Sequence, residues 1–228
     1  MTTSAARGKG PNLKRTIYND LKNKLIHCVY PPGSELNEMM LTEEYGVSRT
    51  PVREAVNRLE ADGYLKIIPK KGIYVSEVSI EDVLQIFDTR LEIEPLTLRM
   101  ALPYLKIEEL LSWRQRFREP EEDLLKSLQT DTDMHLYLID HCRSGYLIEM
   151  MHRLFDDNTR TVIATGQTEV KIHNAVMEHA AILDAIITRQ SPDICAELMR
   201  QHVEHCRTEA LNYFNSDAYL SFMKNRLT

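Results

Sequence analysis

A mainly α protein in two parts is what the sequence predicts: a small N-terminal unit of three helices and a β-ribbon, followed by an all-α helical bundle. Three observations carry this reading. Glycine and proline are scarce, at 8 and 9 of 228 residues, and apolar residues recur at helical spacing through nearly the whole chain. One stretch, 64–76, instead concentrates β-branched and aromatic residues around the turn Pro69-Lys70-Lys71-Gly72. The length suffices for two modest domains with separate cores.

The elements follow in order. Residues 1–12 are small, polar and basic, and are expected to form a disordered arm. Leu13, Ile17, Leu21 and Leu25 fall on one face of a first helix that should stop at Tyr30-Pro31-Pro32-Gly33. Asn37 is the expected N-cap of a short second helix carrying Met40, Leu41 and Tyr45, and Gly46 supplies the left-handed residue that ends it. Ser48 should cap a third helix, with Pro51 in its first turn and a core stripe of Val52, Ala55, Val56 and Leu59. Strands are expected at 64–68 and 73–76 as a two-stranded ribbon. This unit spans 13–76, with 77–79 as linker. From 80 to 228 the pattern is helical, opened by the capping-box signature of Ser79 and Asp82. Helices are expected at 80–101, kinked by Pro95, and at 106–117, 122–142, 145–163, 170–189 and 193–214, with a short piece after Ser216.

The net charge of −6 hides an asymmetry. Residues 1–76 hold 12 Lys and Arg against 8 Asp and Glu, leaving 16 against 26 for the remainder. A basic module joined to an acidic one points to a nucleic-acid partner for the first. Cys28, Cys142, Cys195 and Cys206 form no C-x-x-C and no secretory signal precedes them, so they read as reduced thiols of a cytoplasmic protein. No apolar run approaches the roughly 18 residues of a membrane span.

On the third helix, the face opposite the core stripe carries Arg49, Arg53, Asn57 and Glu60, with Arg58 on the outer side. Any surface helix has a solvated polar face. Here it stands beside a ribbon with lysines at its bend, which together make a winged helix-turn-helix. In that arrangement the N-terminal residues of the recognition helix meet base edges in the major groove, where arginine pairs bidentately with guanine. Arg49 and Arg53 are the base-reading candidates. Ser48 and Thr50 suit phosphates at the helix start, and Lys70, Lys71 and Gly72 form the wing tip.

Residues 13–76 resemble the DNA-binding domain of the GntR family of bacterial transcription regulators. The resemblance rests on Pro31-Pro32-Gly33, Gly46-Val47-Ser48-Arg49-Thr50-Pro51-Val52-Arg53-Glu54-Ala55, Arg58-Leu59, Gly63-Tyr64-Leu65 and Pro69-Lys70-Lys71-Gly72. It implies double-stranded DNA as the partner. Where many relatives place an arginine in the second helix, this chain has Met39.

In the C-terminal part, three apolar stripes contain polar residues: Asp131 and His135 among Leu124, Leu128, Leu138 and Cys142; His179 among Ile172, Val176, Leu183 and Ile186; His202 among Cys195, Leu198 and Cys206. Buried polar groups without partners cost on the order of 1–3 kcal/mol each. A histidine on such a stripe is more often a hydrogen-bonded core residue than a ligand. Three helices each turning such groups inward are also satisfied by one shared cation, and three nitrogens with one oxygen suit Zn²⁺ or Ni²⁺.

Residues 80–214 resemble the all-helical FCD ligand-binding domain of the FadR-like branch. Metal-binding members there carry D-x-x-x-H and two later histidines, matched by Asp131 and His135, by His179 in Glu178-His179-x-x-Ile182-Leu183, and by His202 in Met199-Arg200-Gln201-His202. The R-x-x-x-E element appears as Arg90 and Glu94, which implies an arginine that holds an acidic effector; a helix-surface ion pair at i, i+4 accounts for the spacing equally well. Gly145-Tyr146 stands where relatives commonly show Gly-Asn.

The expectation is a homodimeric regulator, a repressor by family leaning, that binds a pseudo-palindromic operator and responds to a small organic acid bound near the metal. A metal-dependent hydrolase or isomerase is the rival class. It lacks H-E-x-x-H, and Glu178 should point about 100° away from its neighbour His179 on a helix. A DNA-free adaptor would leave the arginines and wing lysines idle.

Overall fold

The structure, a computed structural model, describes residues 11–118, 123–165 and 169–216. It divides into two compact units between Val78 and Ser79. The first contains α1 (Pro11–Ile26), β1 (Glu35–Leu36), α2 (Glu38–Tyr45), α3 (Arg49–Ala61), β2 (Leu65–Ile68) and β3 (Gly72–Val75). Its core joins Ile17, Leu21 and Leu25 of α1 to Leu41 of α2, the Val52, Ala55, Val56 and Leu59 stripe of α3, and Ile73 and Val75 of the ribbon.

Helix α1 begins at Pro11, two residues inside the expected arm, and residues 1–10 lie outside the described residues. It stops at Ile26, short of the prolines, because Cys28 turns left-handed (φ 52) and Val29 N–H reaches back to the Lys24 carbonyl at 2.9 Å. Asn37 caps α2 by accepting from Met39 N–H at 2.8 Å, and Gly46 (φ 61) closes it. Ser48 occupies the N-cap position of α3, yet its side chain makes no capping bond.

The expected two-stranded ribbon is a three-stranded antiparallel sheet in the order β1-β3-β2. Glu35 pairs with Tyr74 and Leu36 with Ile73, so that Leu36 enters the core. A two-residue strand has too little alternation to be read in advance. At the opposite edge, Lys71 N–H donates to the Ile68 carbonyl at 3.0 Å and Lys70 adopts φ 65, a left-handed position behind Pro69 that a type II turn normally gives to glycine.

The second unit contains α4 (Ile80–Ala101), a 3-10 turn (Leu102–Tyr104), α5 (Ile107–Arg116), α6 (Leu124–Asp140), α7 (Gly145–Ala164), α8 (Glu169–Ile187) and α9 (Pro192–Phe214). Helix α4 runs on through Pro95 and packs against α6, α7 and α9. Its start is the expected capping box: Asp82 N–H donates to Ser79 Oγ at 3.1 Å and Ser79 N–H donates to Asp82 Oδ2 at 2.9 Å. Asp123, Ser144 and Ser191 cap α6, α7 and α9 with side-chain oxygens. The piece expected after Ser216 lies outside the described residues. All four cysteines are free, and no described helix is long and apolar enough to cross a membrane.

Replacing Ser79 by Ala removes one bond of the box and should lower the unfolding free energy of the second unit by about 1 kcal/mol. The urea midpoint of the full chain reads this; an unchanged midpoint would show that the cap is not limiting.

Candidate metal centre and nucleic-acid interface

Helices α6, α8 and α9 bring three imidazoles to one point in the second unit. The Nε2 atoms of His135, His179 and His202 lie 3.2, 3.2 and 3.1 Å from one another, and Asp131 Oδ1 is 3.1 Å from His179 Nε2. All three rings are buried, Asp131 is partly exposed, and the four ligand atoms fall within 4.8 Å of each other. Donors about 2.0–2.1 Å from a common ion, at tetrahedral to octahedral angles, are separated by roughly 2.9–3.4 Å. The triangle matches that spacing.

Carboxylates stand behind the outer nitrogens of two of the rings. His135 Nδ1 donates to Glu94 Oε2 at 2.5 Å, and His202 Nδ1 donates to Glu178 Oε2 at 2.8 Å. A neutral ring held in this way turns the lone pair of Nε2 inward, the tautomer that carboxylates favour in ligating histidines. Burial, reinforced by His202, His135 and Arg90, pushes the pKa of His179 well down, which keeps that ring neutral. For His202, burial opposes a charge, but Cys206, Glu178 and Asp131 outweigh it and lift the pKa to about 10. The surroundings thus favour a positive charge where the three Nε2 atoms meet, as a proton on His202 or as a cation in its place. A single proton can serve only two of these nitrogens; a divalent cation serves all three.

Arg90 and Glu94 are not a surface pair. Their side chains are 3% and 1% exposed, because α4 turns this face inward. Arg90 Nε donates to Glu94 Oε1 at 2.5 Å and its Nη1 to Asn158 Oδ1 at 2.9 Å, while Nη2 is buried with no hydrogen-bond partner among the described residues. Burial works against the Glu94 carboxylate, but Arg90 and His135 prevail and hold its pKa at about 2. Glu94 thus links the arginine to a histidine of the cluster. Of the two, Arg90 lines a cavity of about 800 Å³ that also reaches Asp131, His179, Asn158, Phe87 and Phe117. Arg116 stands on the cavity wall over the ring of Trp113, the single tryptophan, at 4.4 Å.

In the first unit, Ser48, Arg49, Thr50 and Arg53 are exposed at the start of α3. Arg53 Nε donates to Glu38 Oε1 at 2.7 Å, whereas Arg49 is unpaired among the described residues. Arg58 is turned back onto the Tyr18 ring, 3.9 Å from its centroid. Glu60 is spent on the wing, accepting from Ile67 N–H at 2.7 Å. Lys70 and Lys71 project at the wing tip, next to Gly72, whose φ of 137 is strained for any residue with a side chain and where a Cβ would have to displace the Glu35 carboxylate.

Residues 13–75 match the model described as bacterial regulatory proteins, gntR family, and residues 85–205 match the FCD domain. The chain belongs to the GntR family. Among similar proteins, the HTH-type transcriptional regulator YdhC of Bacillus subtilis is 27% identical over 208 residues, covering 88% of this chain and 87% of the relative. The HTH-type transcriptional repressor GlaR of Escherichia coli is 29% identical over 203 residues, covering 82% and 90%. A GntR regulator from Rhodococcus sp. RHA1 superposes with a TM-score of 0.76 at 16% identity, covering 88% of this chain and 98% of that one. The E. coli protein McbR/YncC gives 0.73 at 21% identity, covering 89% and 98%. At these identities the structures establish the fold, and the GntR and FCD matches establish a DNA-binding transcription regulator with a winged helix-turn-helix and a helical C-terminal domain.

Sequence reasoning did not place Glu38, Glu94, Asn158 or Glu178 in these roles. Glu178 does point away from the ligand face of its own helix, toward the outer nitrogen of His202 on the next one. Its neighbour His179 marked the helix as relevant but said nothing of that contact. Asn158 carried no signal at all.

Removing the guanidinium by Arg90→Ala leaves a buried carboxylate short of its main partner. A loss of about 3–5 kcal/mol in unfolding free energy is expected from urea denaturation; a wild-type midpoint would show that Glu94 is sustained by His135 alone.

Proposed function

We propose that this GntR-family chain is a homodimeric repressor of the cytoplasm whose grip on a pseudo-palindromic operator is set by a small organic acid bound beside a divalent cation. The observation that carries the reading is the convergence of three buried Nε2 atoms on one point, with His179 and Asp131 of that cluster lining a cavity that is also lined by Arg90, whose buried Nη2 has no hydrogen-bond partner among the described residues. Asp131, His135, His179 and His202 would hold the ion, with Zn²⁺ or Ni²⁺ the metals best suited to three nitrogens and one oxygen. When bound, such a cation supplies a fixed positive pole with coordination positions open to a carboxylate oxygen. Arg90 would take the same acid through its planar fork, Glu94 and Asn158 holding that fork in place. The repressor sense follows the name carried by the E. coli relative GlaR.

Each winged helix would read one half-site. Arg49 and Arg53 face base edges, Ser48 and Thr50 face phosphates at the start of α3, and Lys70 and Lys71 anchor the wing with Gly72 shaping its bend. Ser48, free of capping duty, has its hydroxyl available for that contact. Arg58, engaged with Tyr18, contributes at the edge of the contact. The rival enzymatic reading finds less support, because both oxygens of Glu178, the carboxylate beside the cluster best placed as a base, are engaged by His202 and His205.

Selection of duplexes from a random pool, with and without candidate acids, tests the whole reading. On the selected duplex, Arg49→Ala or Arg53→Ala should lose roughly 1–3 kcal/mol of discrimination against single-base variants at fixed salt. Lys70→Ala should weaken every duplex alike and reduce the salt slope by about 1. Unchanged base preference in both arginine variants would remove them from the reading role.

Elemental analysis tests the metal. Purified protein should contain a divalent ion, chelation should lower its melting temperature, and His135→Ala should reduce metal content more than His141→Ala. Repeated absence of metal from untreated protein would discard the site.

A further inference from the structure

We propose that Glu38 is a specificity-determining positioning residue: it holds Arg53 in one rotamer for base contact and, by its charge, keeps the interface from gripping DNA of any sequence. The inference rests on the reading of Arg53 as a base contact. Arg53 and Arg49 sit one helical turn apart on the same face, but they are supported differently. Arg49 is unpaired among the described residues, while Arg53 donates from Nε to Glu38 Oε1 at 2.7 Å. The bond to Glu38 uses Nε and leaves Nη1 and Nη2 for another partner, and the side chain is 61% exposed.

Glu38 is a firm post. It is the first residue of α2, where a carboxylate is favoured by the helix dipole, and Asn37 caps the turn by binding Met39 N–H. Leu41, in the next turn, is fully buried against α3, so the two helices fix the Glu38–Arg53 separation. An exposed ion pair adds little to stability. Its value here is preorganisation, since an arginine already ordered loses less freedom when it meets a base. The same carboxylate repels phosphates, which weakens the non-specific attraction that every basic surface has for duplex DNA.

Geometry and charge separate in two variants. Glu38→Ala removes both, and Glu38→Gln removes the charge but keeps a carbonyl oxygen able to accept from Arg53 Nε. With a duplex selected by the wild type, discrimination is measured at the base pair sensitive to Arg53→Ala and at the one sensitive to Arg49→Ala. Glu38→Ala should lose about 3- to 10-fold discrimination at the first pair and none at the second. Glu38→Gln should retain most of it, and both variants should bind random-sequence duplex more tightly than the wild type. Should Arg53→Ala alter its base pair while Glu38→Ala does not, the positioning role is wrong and the reading of Arg53 stands. Should neither variant alter any base pair, both fall together. A gain in random-duplex affinity with discrimination intact would reduce Glu38 to a surface charge and overturn the proposal.

Discussion

Three buried imidazole nitrogens facing one another need a shared positive charge between them, a proton or a metal ion. That constraint organises the C-terminal unit. Each of the three Nε2 atoms comes from a different helix, and two of the rings are held from behind by carboxylates of neighbouring helices, His135 by Glu94 of α4 and His202 by Glu178 of α8. A cation at the meeting point would satisfy α6, α8 and α9 at once, and Glu94 extends the arrangement to Arg90 and through it to Asn158 on α7. The cavity is therefore walled by residues whose orientation depends on the same charge that the cluster calls for.

The N-terminal unit solves a different problem. It has only a small core to bury, and α3 gives that core a single stripe, Val52, Ala55, Val56 and Leu59. The start of the same helix stays outside that core, with Ser48, Arg49, Thr50 and Arg53 exposed. The division is clean along one helix: the stripe holds the unit together, and the first turn with its arginines stays outside. The bend at Lys70 has a related character, since a lysine held in a left-handed turn is a local cost accepted where the wing must project a charge.

Much of this was legible in the sequence because it is local. Caps at Asn37 and Ser79, the left-handed Gly46, the helix stripes and the split of charge between the halves all depend on near neighbours. What escaped depends on partners distant along the chain. The strand at Glu35–Leu36 exists only because β3 is there to receive it. Arg90 and Glu94 have the spacing of an ordinary exposed i, i+4 pair, and no property of α4 alone says that this turn faces Asn158 and His135. The four cluster residues were found by polar interruptions in apolar stripes, a signal that reports burial but not the carboxylates that stand behind. Ser48 shows the limit from the other side: the residue type and position of a cap were right, and the hydroxyl makes no capping bond.

The placement of Trp113 has a practical side. Its indole lies beneath the guanidinium of Arg116, and that guanidinium belongs to the cavity wall. Whatever enters and disturbs Arg116 must also change the electric field across the only indole in the chain. The molecule therefore carries an intrinsic fluorophore one contact behind the cavity wall, so a change at that wall can be followed by light emission without attaching any label.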